Sequence, residues 1–132
     1  MEFIKNEPKI GDHLRVNRGL YSHHGIYIGD DRVIHFGSLT NELNPEDAVV
    51  LETSLADFLK GGELEVASYN DLEKTKLKPA SEIVSYAKSQ LGRKGYDIFK
   101  YNCEHFANEC TFGEAKSEQV DNIFGLLGKL FG

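Results

Sequence analysis

Two β-rich runs around a single turn cluster limit the fold of this chain more than any other feature. His23-His24-Gly25-Ile26-Tyr27-Ile28 runs into Gly29-Asp30-Asp31, and Arg32-Val33-Ile34-His35-Phe36 follows. β-Branched and aromatic residues on both sides of a Gly-Asp cluster predict an antiparallel hairpin. Gly11 to Val16 predicts a strand before it, and Ala48 to Glu52 and Leu64 to Tyr69 predict strands after it. Asn41 to Asp47, polar and holding Pro45, reads as a loop. Ser54 to Leu59 reads as a capped turn or short helix stopped by Gly61-Gly62.

After Pro79 the pattern becomes helical. Ser81 is placed to cap a helix carrying Ile83, Val84, Ala87 and Leu91 and ended by Gly92. Asn102 is placed to cap the next, with Phe106, Ala107 and Cys110 on its inner side and Gly113 at its end. Strands first and helices second predict an α+β domain, an antiparallel sheet packed against helices. A chain of 132 residues is the size of one compact domain. We assign residues 1–122 to that domain and residues 123–132 to a short amphipathic tail. In the tail, Ile123, Phe124, Leu126, Leu127, Leu130 and Phe131 make an apolar stripe. It either packs on the core or contacts lipid or a partner.

Charge and cysteine usage exclude several classes. A formal net charge of −6 disfavours nucleic acid, and it disfavours charge-driven binding to an anionic membrane. No apolar run approaches the ~20 residues that span a bilayer, and no basic-then-apolar leader opens the chain. Cys103 and Cys110 fall on one predicted helix, roughly 10 Å apart at the helical rise, beyond the ~7 Å reach of a disulfide. Two free thiols point to a reducing compartment, so the expected location is cytoplasmic. No Cys-x-x-Cys or His-x-x-x-His pair is present, so neither a metal nor another cofactor is expected.

Chemistry concentrates at Tyr101-Asn102-Cys103-Glu104-His105-Phe106. A cysteine attacks as thiolate, and its ordinary pKa of about 8.5 leaves little thiolate at neutral pH. If Asn102 is the N-cap, Cys103 is the first helical residue, beside the partial positive charge of the helix end. Backbone N–H groups there are candidates for an oxyanion site. An imidazole is then needed to take the thiol proton and to return it to the leaving group. His23 and His35 supply one only if they share a face of the hairpin. A two-residue loop, Asp30-Asp31, in a regular ladder places them on opposite faces, so the reading requires an odd loop or a bulge. Gly25 opposite His35 leaves room for a ring or for substrate, and Tyr27 either lines the site or packs in the core. On spacing alone Cys103 reads rather as a small buried hydrophobe. His105 lies about 200° around the helix from Cys103 and belongs to the core. His24 points away from His23, Glu104 suits the helix dipole, and Cys110 reads as buried and inert.

The string His23-x-Gly-Ile-Tyr-Ile-Gly-Asp-x-Arg-Val-Ile-His35 resembles the lecithin:retinol acyltransferase family. So does Asn102-Cys103-Glu104-His105-Phe106-Ala107-Asn108-Glu109. Phe112-Gly113-x-Ala115-x-Ser117-x-Gln119-Val120 resembles the segment after the cysteine in the phospholipase A/acyltransferase branch, although Gln119 has no chemical role in sight. The likeness, which includes Gly11-Asp12-His13-Leu14, covers about residues 9 to 122. It implies a circularly permuted papain-like fold of the NlpC type. It also implies Cys103 as nucleophile, His23 as general base and His35 as the residue orienting His23. The implied reaction forms a thioester acyl-enzyme from a lipid acyl ester, such as a glycerophospholipid, and passes the acyl group to water, an amine or an alcohol. Tyr27 and Gly25 are the candidate substrate contacts, and transient membrane contact falls to the tail. The same triad would serve an amidase or peptidase, or lie silent in a lipid-binding module. His24 stands where the family often has a bulky aromatic, and Gly37 to Pro79 has little resemblance to animal members.

Overall fold

A computed structural model describes residues 1–38, 44–99 and 101–131; Asn41 to Leu43 of the expected loop lie outside them. Among the described residues the chain forms one six-stranded antiparallel sheet with five helices. In chain order these are β1 (Glu2–Ile4), β2 (His13–Asn17), β3 (Ser22–Gly29), β4 (Arg32–Gly37), β5 (Val49–Ser54), α1 (Leu55–Leu59), β6 (Leu64–Ser68), α2 (Asp71–Lys76), α3 (Ala80–Ser89), α4 (Cys103–Phe112) and α5 (Glu118–Phe131). The strands lie in the order β1-β6-β2-β3-β4-β5, so neither strand of the predicted hairpin is at an edge of the sheet.

Alternation along the strands divides the interior in two. Ile26, Ile34, Phe36 and Val50 face α3 and α4, where they meet Ile83, Ala87, Phe106, Ala107 and Cys110. Leu14, Val16, Tyr27, Val33 and Val66 face the other way and close around Phe58 of α1. Each large aliphatic or aromatic side chain so buried contributes roughly 1.5–3 kcal/mol. The two layers hold the central strands from both sides.

The hairpin meets the parity condition by a route of its own. Its loop is the two residues Asp30 and Asp31, with Gly29 paired to Arg32. Both aspartates have positive φ, 51° and 55°, as the tight primed turns require. Between Tyr27 and Gly29 the register shifts by a bulge, after which Tyr27 pairs with Val33 and Ile26 with Ile34. The extra residue turns a two-residue loop into the odd count that returns His23 and His35 to one face.

Several expectations are corrected in detail. Pro79, not Ser81, occupies the N-cap of α3, with no side-chain cap, and the helix ends before Leu91 and Gly92. Pro at a helix start leaves no N–H to satisfy. β1 and α2 were not foreseen; α2 is held by a reciprocal Asn70–Glu73 capping box. The tail residues lie in α5, a helix that starts at Glu118. Of its apolar stripe, Ile123, Phe124, Leu126 and Leu127 are exposed rather than packed on the core, and the side chains of Leu130 and Phe131 lie outside the described ones.

Candidate active site

Asn102 builds the start of α4. Its side chain accepts hydrogen bonds from the N–H groups of Glu104 and His105, while His105 Nδ1 accepts from the Asn102 N–H in return. That reciprocal cap makes Cys103 the first residue of the helix, where the dipole favours a thiolate. It also accounts for His105, which serves the cap rather than the chemistry. The capping bonds occupy the amides of Glu104 and His105, and the Cys103 N–H donates to the Tyr96 phenol oxygen, so the helix end alone does not supply the expected oxyanion donors.

Cys103 is 3% exposed, and its thiol lies 3.9 Å from the carbonyl oxygen of Ser22. That carbonyl belongs to the peptide bond leading into His23, so the helix start abuts the strand segment that carries the imidazole. His23 and His35 are both buried. His23 Nε2 and His35 Nδ1 are 2.8 Å apart, with the rings at 88° to each other. The far nitrogen of His35, Nε2, is 3.0 Å from the Thr53 hydroxyl on β5. Phe58 packs against both rings, with centroids 5.3 Å from His23 and 5.2 Å from His35. Burial pushes His23 well below its ordinary value, and His35, Arg18, His24 and Lys60 add to the effect. His23 is therefore neutral near pH 7, the state a general base requires.

Gly25 explains how three rings fit. A Cβ there would lie 2.7 Å from Val33 Cγ1, 2.8 Å from Phe58 Cε1 and 3.2 Å from His35 Cβ. The missing side chain makes room for the Phe58 ring rather than for an open substrate channel. Tyr27 is buried in the Phe58 layer, and its hydroxyl accepts the Asp31 N–H at 3.1 Å. Both expected substrate contacts thus have packing positions.

Sequence reading missed three neighbours. Tyr96 touches Cys103, and its phenol is raised far above the ordinary range by burial and then by the adjacent thiol. It stays protonated, its oxygen accepting from the Cys103 N–H and its hydroxyl beside the Cys103 thiol. Its ring packs edge-on against Phe36 at 5.0 Å; only its place seven residues before Cys103 hints at it in the sequence. Thr53 carries no local signal. Gln119 was noticed without a role: its Oε1 accepts the Ser22 N–H at 2.9 Å, and its Nε2 donates to the Ser22 carbonyl at 3.4 Å. It thereby pairs with Ser22 as a strand would.

Glu104 does more than suit a dipole. It is 3% exposed and accepts from the Ser117 hydroxyl and from the Gln119 N–H at 3.2 Å. Ser117 in turn accepts from the Val120 N–H at 3.2 Å and so caps α5. The start of α5 is thereby tied to the start of α4 and to Ser22. On the opposite sheet face His24 is buried against His13, with His24 Nδ1 and His13 Nε2 2.7 Å apart. Cys110 is buried and unbridged, with its thiol pushed up by burial. Among the described residues no cluster of three His, Cys, Asp or Glu is placed to hold a metal.

A central antiparallel sheet, a helix opening on cysteine and two histidines on the preceding hairpin define a cysteine-centred α+β domain. Residues 6–116 match the family model described as Lecithin retinol acyltransferase, and the chain belongs to that family. Human phospholipase A and acyltransferase 3 is 32% identical over 129 residues, covering 89% of this chain and 78% of the relative. Human phospholipase A and acyltransferase 2 is 28% identical over 148 residues, covering all of this chain and 88% of the relative. Rattus norvegicus lecithin retinol acyltransferase is 30% identical over 134 residues, covering 86% of this chain and 58% of the relative.

Proposed function

We propose that the protein is a cysteine-dependent lipid acyltransferase or phospholipase A-type hydrolase. The observation that carries this reading is the Cys103 thiol set against the Ser22–His23 peptide, with His23 already paired to His35, in a member of this family. His23 takes the proton from Cys103. The sulfur attacks the carbonyl carbon of a lipid acyl ester, and the oxyanion that develops takes a hydrogen bond from the Tyr96 phenol. The ester C–O bond then breaks, His23 returns the proton to the departing alkoxide, and a thioester remains on Cys103. Water, an amine or an alcohol next loses a proton to His23 and attacks the thioester; the C–S bond breaks, the acyl group leaves on the acceptor, and His23 returns the proton to the Cys103 sulfur. His35 holds the His23 ring and stabilises its charged form, as the third member of a triad does.

Contact with a lipid surface fits the same reading. No helix of the described residues is long and apolar enough to cross a membrane. The exposed apolar residues of α5 continue into Phe99, whose ring lies 6.1 Å from that of Phe124. This patch supports peripheral contact through the tail. Intact-mass spectrometry after exposure to a mixed phospholipid extract tests the function. The expected result is an acyl adduct on the wild-type chain and none on Cys103→Ser. Absence of any adduct across the lipid classes would overturn the proposal.

A further inference from the structure

His35 uses both of its ring nitrogens, one toward His23 and one toward Thr53. A neutral imidazole carries one N–H and one lone pair, so the two bonds must run in a single direction. Thr53 decides which. It lies on β5, where β4 residue His35 is paired with Leu51, so Thr53 is the diagonal neighbour on the same face. It is 4% exposed. Its hydroxyl donates to the Ser54 carbonyl oxygen at 3.0 Å, an atom that can only accept. With that one proton committed, Thr53 Oγ1 accepts from His35, and the proton of His35 sits on Nε2. His35 Nδ1 is then a lone pair and accepts from His23 Nε2–H. His23, neutral through burial, keeps its own lone pair on Nδ1, the nitrogen left for the thiol.

The reverse arrangement is instructive. If Thr53 donated to His35, the proton of His35 would move to Nδ1 and point at His23 Nε2. His23 would then carry its proton on Nδ1 and have nothing with which to accept the thiol proton. We propose that Thr53 is a positioning residue that sets the tautomers of His35 and His23, so that His23 Nδ1 is the base. The proposal rests on the assignment of His23 as the base of Cys103. Thr53 touches no reacting atom, and no proton leaves it during the reaction.

Three measurements test this. In wild-type protein with 15N-labelled histidine, one-bond N–H correlations are expected to place the protons of His35 and His23 on Nε2. Alkylation of Cys103 by iodoacetamide at neutral pH is expected to slow about tenfold in Thr53→Val, the loss typical of a residue that orients another through a hydrogen bond. Thr53→Ser, which keeps the hydroxyl, is expected to restore it. Turnover of a p-nitrophenyl acyl ester is expected to lose kcat with KM unchanged in Thr53→Val. A proton on Nδ1 of His35, or wild-type alkylation in folded Thr53→Val, would overturn the proposal. If Thr53→Val does not fold, the wild-type spectrum decides alone. Failure of the acyl-transfer reading is told apart, since it leaves the tautomers intact while wild-type protein turns over no ester.

Discussion

His23 and His24 are neighbours in one strand and members of two different pairs. His23 meets His35 on the α1 side of the sheet at 2.8 Å, and His24 meets His13 on the α4 side at 2.7 Å. All four rings are buried, and burial pushes His23, His24 and His13 below their ordinary values, His24 to about 3. Burial and pairing therefore do not distinguish the two pairs; what lies beyond each does. Past His35 comes Thr53, and beside His23 comes the peptide that the Cys103 thiol contacts. Around the other pair stands Phe3, edge-on to both rings at 5.2 and 5.6 Å. His13 Nδ1 has no hydrogen-bond partner. One pair belongs to a connected chain of donors and acceptors, and the other ends in an apolar wall.

The comparison can be broken by exchanging one ring at a time. His23→Gln should lower acyl-ester turnover per folded molecule about a thousandfold, the scale of general-base catalysis, beyond a stability cost of about 1–3 kcal/mol through the mispaired buried His35. Turnover within tenfold of wild type would mean that the two pairs do not differ in function. His24→Gln should carry the same kind of stability cost, about 1–3 kcal/mol through the mispaired buried His13. Its activity per folded molecule should stay near wild type, as denaturant titration with parallel assays will tell.

Acid should act on both pairs together. His23, His24 and His13 are held below the ordinary histidine value of 6.5 in the folded state. Below that value the unfolded chain therefore binds protons that the native chain refuses. Stability should be complete above about pH 6.5 and fall as pH drops, by about 1.4 kcal/mol per pH unit for each such histidine. For His24 that window extends down to about 3. Urea midpoints measured from pH 7.5 to 4.5 test this, and a flat profile would contradict it. The smallest effect is expected at Gln119. Gln119→Ala removes both of its bonds to Ser22 and should slow iodoacetamide labelling of Cys103 severalfold, about 1 kcal/mol. His24→Gln should leave that rate unchanged.

Much of this was legible because the signals were local. Asn102 before Cys103, with apolar residues at helical spacing behind it, specifies a capped helix that opens on a thiol. The runs on either side of Gly29-Asp30-Asp31 specify a hairpin. The α5 stripe was legible too, but whether it is covered depends on what the rest of the chain presents to it. Gly25 marked a place where space was needed, though not that Phe58, thirty-three residues later, would fill it. Thr53, Tyr96 and Gln119 matter through hydrogen bonds and packing made across the sheet and between segments far apart in sequence. No local pattern records such contacts.

The sequence by itself determined the strand-then-helix order, the thiol at a helix start and the family to which the chain belongs, because these follow from short-range spacing and ordered motifs. Tertiary structure alone decided which histidine accompanies which. In a strand the two faces are one residue apart, and a single bulge between Tyr27 and Gly29 sends His23 to His35 and leaves His24 to His13.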